Sequence, residues 1–257
     1  MKYTDFRTQV WAHLGKYKRD VLKVTDDVTI GETNYEHILP KGQENKNLFL
    51  IGCEFQLNEN KLIFPNHKEI HLHTHWNHLS SSQILCISYF SEFLNKPQKL
   101  DELLAFLGIN KKALNGEFEV VAGEEGTNVD FTINLEGGNH VYFEIKYTEP
   151  DFGSINYKTD CKKYQDYFKG CHKGASIEWD DYKKYYQIVR NVCLSENGNY
   201  TIFLLPRSND SINSGYEKGI RKIKNFGKFR NSVKRVMWED LLIAFPNNNV
   251  FEKYFNI

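Results

Sequence analysis

VDFTINLEGGNHVYFEIKYTE, residues 129–149, reads as two alternating strands around a Gly137-Gly138 turn. Side chains alternate across a strand, so Val141, Phe143, Ile145 and Tyr147 share one face, and Tyr142, Glu144, Lys146 and Thr148 share the other. In the first strand Val129, Phe131, Ile133 and Leu135 stand together, opposite Asp130, Thr132 and Asn134. The two apolar sets reach one core only if the numbers of paired residues sum to an even value. A strict two-residue turn pairs 136 with 139, an odd sum. That slip sets Phe131 against Glu144 and turns every side chain to the wrong face. A three-residue loop with a left-handed glycine restores the register.

In that register Asp130 stands opposite Glu144, or opposite Lys146 with Glu144 on the diagonal. Either way two carboxylates and an ammonium crowd one sheet face, and like charges directly across an antiparallel pair cost up to ~1 kcal/mol. A divalent cation turns that repulsion into binding, because Mg²⁺ takes one or two carboxylates and keeps waters for a phosphate. The lysine can then stabilise charge on the phosphate or help activate a water. The bland alternative makes Asp130, Glu144 and Lys146 the solvated face of a two-sided hairpin. On either reading Glu144 and Lys146 lie away from the apolar set, so replacing them should leave the fold standing.

At 257 residues the chain is long enough for one large domain, or for a core with an attached subdomain. Lys+Arg and Asp+Glu both number 33, so net charge gives no hint of a polyanion partner. No apolar run approaches the ~18 residues of a membrane span, and the opening MKYTDFRTQVW lacks the apolar stretch of a secretory signal. The five cysteines form no Cys-x-x-Cys pair, which fits reduced thiols and a cytoplasmic setting.

Around the hairpin, periodicity predicts a helix over 5–17 and a strand at LFLIGCEF (48–55). A helix then starts at Ser80, with Ser80 and Gln83 as a capping box and Leu79 and Ile84 as a staple. A second helix, 98–107, stops at Gly108, and a strand covers 117–123. Beyond the hairpin come a helix over 180–194, a strand over 199–206, a helix over 214–227 interrupted at Gly219, a strand over 233–238 and a closing helical turn. This order describes a mixed α/β sheet flanked by helices. On helix 180–194, Gln187, Arg190 and Asn191 form a polar stripe opposite Tyr185, Ile188, Val189 and Val192. Glu92 sits on an otherwise apolar helix and should face something polar or a metal. HLHTH would align His71, His73 and His75 on one strand face, as a Zn²⁺ or Mn²⁺ site or as ordinary half-exposed residues. His78 precedes the helix expected beside the site. Residues 207–235 hold nine Lys or Arg against Asp210 and Glu217, with Phe226 and Phe229 interleaved. With the aromatic and basic residues of 155–184, they form a candidate phosphate-binding surface at the cleft mouth.

Asp130 after Val129, a turn, and Glu144-Ile145-Lys146 resemble the motif of the PD-(D/E)XK nuclease superfamily, with Val129 where the signature has proline. Gln187 matches the helix glutamine of that superfamily's exonuclease-like branch, and VKRVMWEDLL (233–242) resembles its terminal strand. Asn77 to Gln83 is similar to a stretch in a bacterial group of candidate restriction endonucleases. The resemblance implies a restriction-endonuclease-like αβββαβ core over 76–257, with 1–75 an N-terminal elaboration packed on it. It also implies a Mg²⁺-dependent endonuclease acting on DNA in restriction or defence, with Mn²⁺ as a substitute ion. Asp130, Glu144 and the Ile145 carbonyl would hold the metal, Lys146 would position the water or the scissile phosphate, and Gln187 would support the site. Gln83, Glu92 or His78 would complete it from the first helix. Lys158, Lys162, Lys163, Arg190, Arg221, Lys222 and Lys224 would contact nucleic acid. DNA is then the expected partner, no membrane is, and a homodimer is one assembly. The rivals are an inactive nuclease-like DNA-binding module or partner subunit, and a metal-binding protein organised around the histidines.

Overall fold

The structure is a computed structural model that describes residues 3–50, 53–123, 126–155 and 161–257. Helix α1 (Tyr3–Asp20) is followed by two small antiparallel sheets, β1 (Val28–Ile30) with β2 (Thr33–Tyr35), then β3 (Gln56–Asn58), β4 (Lys61–Ile63) and β5 (Ile70–His71). Helices α2 (Ser82–Phe90) and α3 (Pro97–Phe106) lead into the central sheet. Its strands are β6 (Ala113–Ala122), β7 (Thr127–Leu135), β8 (His140–Ile145), β9 (Tyr200–Leu205) and β10 (Val233–Met237), in the order β10-β9-β8-β7-β6. β6, β7 and β8 run antiparallel, while β8, β9 and β10 run parallel. Between β8 and β9 lie α4 (Cys161–Gly174), α5 (Trp179–Lys184) and α6 (Tyr186–Leu194); α7 (Asp210–Lys222) joins β9 to β10, and α8 (Trp238–Ala244) follows. The architecture is therefore the expected mixed sheet flanked by helices.

The hairpin keeps the even register. Phe131 pairs with Phe143 and Ile133 with Val141. The loop is 136–138, closed by a Leu135 N–H donating to the Asn139 carbonyl at 2.9 Å. Gly137 and Gly138 have φ of +89° and +80°, a region that costs residues with a Cβ about 1–2 kcal/mol. Phe131, Ile133, Leu135, Val141, Phe143, Ile145 and Tyr147 enter the main core with α2, α3 and α8. Phe6, Val10 and Leu14 of α1 share that core, so the N-terminal segment and the sheet are packed as one body. A second core, under α4–α7, covers the opposite face at Phe203 and Leu205.

Val129 departs from this alternation: it clusters with Ala122 and Tyr142, on the other side from Phe131. The β6–β7 ladder passes from Phe118↔Phe131 to Val120↔Val129 and skips the intervening pair, Glu119 and Asp130. Glu119 there has φ +50°, which breaks the pleat.

Several local expectations are corrected. Residues 48–50 and 53–55 form no strand, and 51–52 lie outside the described residues. The segment instead binds α2 and the turn after it, through Phe49 N–H to Ser88 Oγ (3.3 Å) and Cys53 Sγ to the Ser91 carbonyl (3.0 Å). The α2 cap is Ser81, whose hydroxyl accepts from Ile84 N–H at 3.3 Å, one residue later than the sequence suggests. That displaces Gln83 from the capping box. Helix 180–194 breaks at Tyr185 (φ −117°, ψ 30°), whose ring is buried in the second core. Gly219 does not interrupt α7; a Cβ there would lie 2.6 Å from Ile188 Cδ1, so the glycine lets α6 and α7 close. β5 covers only His71 of the HLHTH run, leaving His73 and His75 in the loop beyond it.

Candidate functional site

Where β7 and β8 part, one charged cluster forms. Their ladder ends at Phe131↔Phe143, while β8 stays paired with β9 to Ile145↔Leu204. The Ile145 N–H, which β7 no longer takes, donates to Asp130 Oδ2 at 2.7 Å. Asp130 thus inserts between the diverging strands. Glu144 and Lys146 form an ion pair at 2.8 Å with side chains only 7 % and 13 % exposed. The second Glu144 oxygen accepts from Asn191 Nδ2 on α6 at 2.7 Å, and the Asn191 carbonyl is held by Thr201 Oγ1 at 2.7 Å. Helix α6 therefore buries the hairpin's polar face. These three groups are not a solvated surface.

Burial sets the electrostatics. Desolvation and the neighbouring Glu144 push Asp130 well above the usual carboxylate range. For Glu144 desolvation works the same way, but Lys146, Arg190 and the Asn191 amide outweigh it and hold the carboxyl below its usual range. Desolvation disfavours the Lys146 ammonium, yet Glu144, Glu149 and Asp130 keep its pKa above the ordinary lysine value. The site therefore presents a charged lysine between unequal carboxyls.

A residue the sequence reading missed belongs here. Glu119, in register with Asp130, accepts from Gln83 Nε2 at 2.8 Å, and its charge also acts on Asp130. Gln83 further donates to the His71 carbonyl (3.1 Å) and accepts from His73 N–H (2.9 Å), so it ties α2 to the histidine loop. The signal for Glu119 needed the β6–β7 register, which a single strand pattern does not supply. Gln187 lies on the same α6 face, against Gly153, where a Cβ would come within 3.6 Å of its amide. It is Asn191, one turn later, that touches Glu144. The break at Tyr185 starts α6 at Tyr186 and brings its second turn over β8. Arg190 stacks on Tyr186 at 5.2 Å and contributes its charge to Glu144.

Other candidates fall elsewhere. Glu92 pairs with Lys99 at 2.6 Å and lines a separate cavity with Ser88, Ser91 and Asn247. His71 bonds Glu69 at 3.1 Å, and no group of three or more His, Cys, Asp or Glu among the described residues is arranged to hold a metal ion. Much of the basic run is paired with acids of the same chain at the surface. Lys222 pairs with Asp181 at 3.1 Å and Lys224 with Glu178, both on or beside α5; Lys228 pairs with Glu196 and Arg235 with Glu217, each at 2.9 Å. Asn209, at the start of α7, donates to the Tyr147 and Glu149 carbonyls. Lys222 lies at the other end of this 13-residue helix, about 20 Å away at 1.5 Å per residue. Arg221 and Lys162 are exposed; Lys158 and the Lys163 side chain lie outside the described residues.

No described helix is long and apolar enough to cross a membrane. The model of the family described as restriction endonuclease associating with ARP matches residues 10–256. The chain belongs to that family, and the match takes in the second half of α1 and the small N-terminal sheets along with the central sheet. No curated protein matches the chain, and no solved structure does.

Proposed function

We propose that this restriction-endonuclease family member cleaves DNA phosphodiester bonds at Asp130, Glu144 and Lys146, in the manner of the PD-(D/E)XK nucleases it resembles. The observation that supports this most is the convergence of those side chains at the point where β7 and β8 part. The residues suit Mg²⁺, with Mn²⁺ as a substitute. One Asp130 oxygen is taken by Ile145 N–H, and burial together with the neighbouring Glu144 raises its pKa, which a bound cation would offset. Thr132 Oγ1, Gln187 Oε1 and Arg190 Nε are buried without protein partners nearby in the same layers. Asp130, Glu144 and the Ile145 carbonyl would hold the ion, which would supply a Lewis acid for the scissile phosphate and an activated water. Lys146, kept charged by Glu144, serves as a cation that orients the phosphate or water rather than as a base. Asn191 fixes the Glu144 rotamer, and Gln187 lines the α6 side. The biological setting that fits is restriction or defence in the cytoplasm.

A partner subunit that binds without cutting is the second reading, and one observation favours it: both Glu144 oxygens are already engaged, by Lys146 and Asn191. Plasmid and single-stranded DNA incubated with the protein in Mg²⁺, Mn²⁺ or EDTA separate the two. Metal-dependent cleavage lost in Asp130→Asn and Glu144→Gln supports the nuclease. Binding without cleavage under every metal condition supports the subunit.

A further inference from the structure

The histidines that form no metal site line a cavity of about 330 Å³ beside the proposed site. That lies at the lower end of the ~300–1,000 Å³ range of small-ligand pockets. Its walls come from three distant parts of the chain: Arg7 and Trp11 of α1, His73, His75 and His78 before α2, and Thr148 and Glu149 after β8. Thr148 is two residues beyond Lys146, at most about 7 Å along the chain. Glu149 belongs to both places, since it lines the cavity and its charge acts on Lys146.

The lining chemistry is that of an anion site. Arg7 brings a guanidinium, held 4.5 Å over the Trp11 ring. His75 and His78 stand with their rings 4.8 Å apart, and Ser80 and Ser82 add hydroxyls. Glu149 is the sole carboxylate among the described lining residues, and it is folded back onto its own backbone, accepting from Tyr147 N–H at 2.6 Å. Trp11 is stacked on His37 at 4.3 Å with Arg7 also over its ring, so it is not free to stack on a base. The loop is pinned in place: Asn47 donates to the Trp76 and His78 carbonyls, Asn77 to that of Leu39, and Gln83 grips His71 and His73. Fixed donors of this kind suit a ligand that must be placed, not merely attracted.

We propose that this cavity receives a backbone phosphate of the nucleic-acid strand neighbouring the scissile one, with Arg7, His75 and His78 as its donors. This rests on the nuclease reading above for its substrate. It assigns the histidine cluster to substrate placement, and it moves the nucleic-acid grip from the α7 lysines to the α1 and histidine-loop side of the sheet.

The test is an anisotropy titration of labelled single-stranded and duplex oligonucleotides in EDTA, at several salt concentrations. It compares wild type, Arg7→Gln, His75→Ala, His75→Ala/His78→Ala and, as a matched control, His71→Ala. Losing a hydrogen bond to a charged group should weaken binding roughly tenfold or more. Arg7→Gln should also flatten the salt slope by about 0.7 on single strands and 0.9 on duplex. His71, an exposed residue outside the cavity, should leave both unchanged. Wild-type affinity and slope in Arg7→Gln and His75→Ala would overturn the inference, as would an equal loss in His71→Ala. His75 is exposed, so its single variant keeps the test open if the double variant fails to fold. Cleavage by wild type with unaffected cavity variants would sink the inference alone. Cavity-dependent binding without cleavage in any metal would sink the nuclease reading alone.

Discussion

Lys146→Met is the sharpest test of how the site is held. The substitution keeps the side chain's length and removes its charge, leaving Glu144 buried beside Asp130 with Asn191 as its remaining close partner. Removing one member of a buried pair costs about 3–5 kcal/mol. The retained Asn191 bond and the residual exposure put this case near 3 kcal/mol, or roughly 6–12 °C in melting temperature at ~2–4 °C per kcal/mol for a chain of this size. The pH dependence has a defined sign. In wild type, Glu144 lies below its usual value, so its contribution is present above the unfolded carboxyl range and is lost as pH falls through the folded value. Without Lys146, burial is opposed only by Arg190 and the Asn191 amide and should raise it instead, so stability is greatest below the unfolded value and is lost as pH rises. The deficit should therefore be larger near about pH 8 than near about pH 5. Glu144→Gln/Lys146→Met removes both charges and should recover at least half of the loss. Thermal unfolding of the three proteins at both pH values measures this. A single variant within ~0.5 kcal/mol of wild type would mean the pair is not sealed under α6.

Asn191→Leu should lower stability by about 1–3 kcal/mol by leaving a buried Glu144 oxygen without its donor, read as a fall in melting temperature. Gly116→Val should cost about 1–3 kcal/mol through overpacking, because a Cβ there would lie 2.6 Å from Phe131 Cζ; denaturant titration checks it. Charge reversal at Lys222 and Lys224 breaks exposed pairs with α5, so it should cost under ~1 kcal/mol and leave DNA affinity near wild type in the same anisotropy titration. If the carboxylates take Mg²⁺, saturation at about a hundred times Kd should stabilise wild type by about 2.7 kcal/mol in a thermal-shift assay, and Asp130→Asn should lose most of that gain.

The hairpin register was legible because a one-residue error would have turned every apolar side chain the wrong way, a penalty large enough to read from pattern alone. The convergence of Asp130, Glu144 and Lys146 followed from it. What pattern could not supply was whether that face met solvent. The answer lies in α6, whose Asn191 comes from 47 residues beyond Glu144 in the chain. The same limit explains Glu119, which enters through the pairing of β6 with β7, and Lys222, whose partner Asp181 lies on another helix. LFLIGCEF had strand composition, but its described residues form no strand, and Phe49 and Cys53 bond to Ser88 of α2 and to Ser91 just beyond it. Gly219 looked like a helix breaker because its role is in the α6–α7 contact, not in its own helix.

The burial that strains this site also orders it. An exposed Lys146 would be one of many mobile ammonium groups; under α6 its charge is held by three carboxylates and its position by Glu144. Asp130 bears the other side of that arrangement: burial first and the Glu144 charge second push it toward its neutral form, against the pull of Lys146. A cation between the carboxylates would favour the charged form of both. It would also compete with Lys146 for Glu144. On the nuclease reading, the ion pair at 2.8 Å would hold Glu144 and Lys146 in place before cation and substrate arrive.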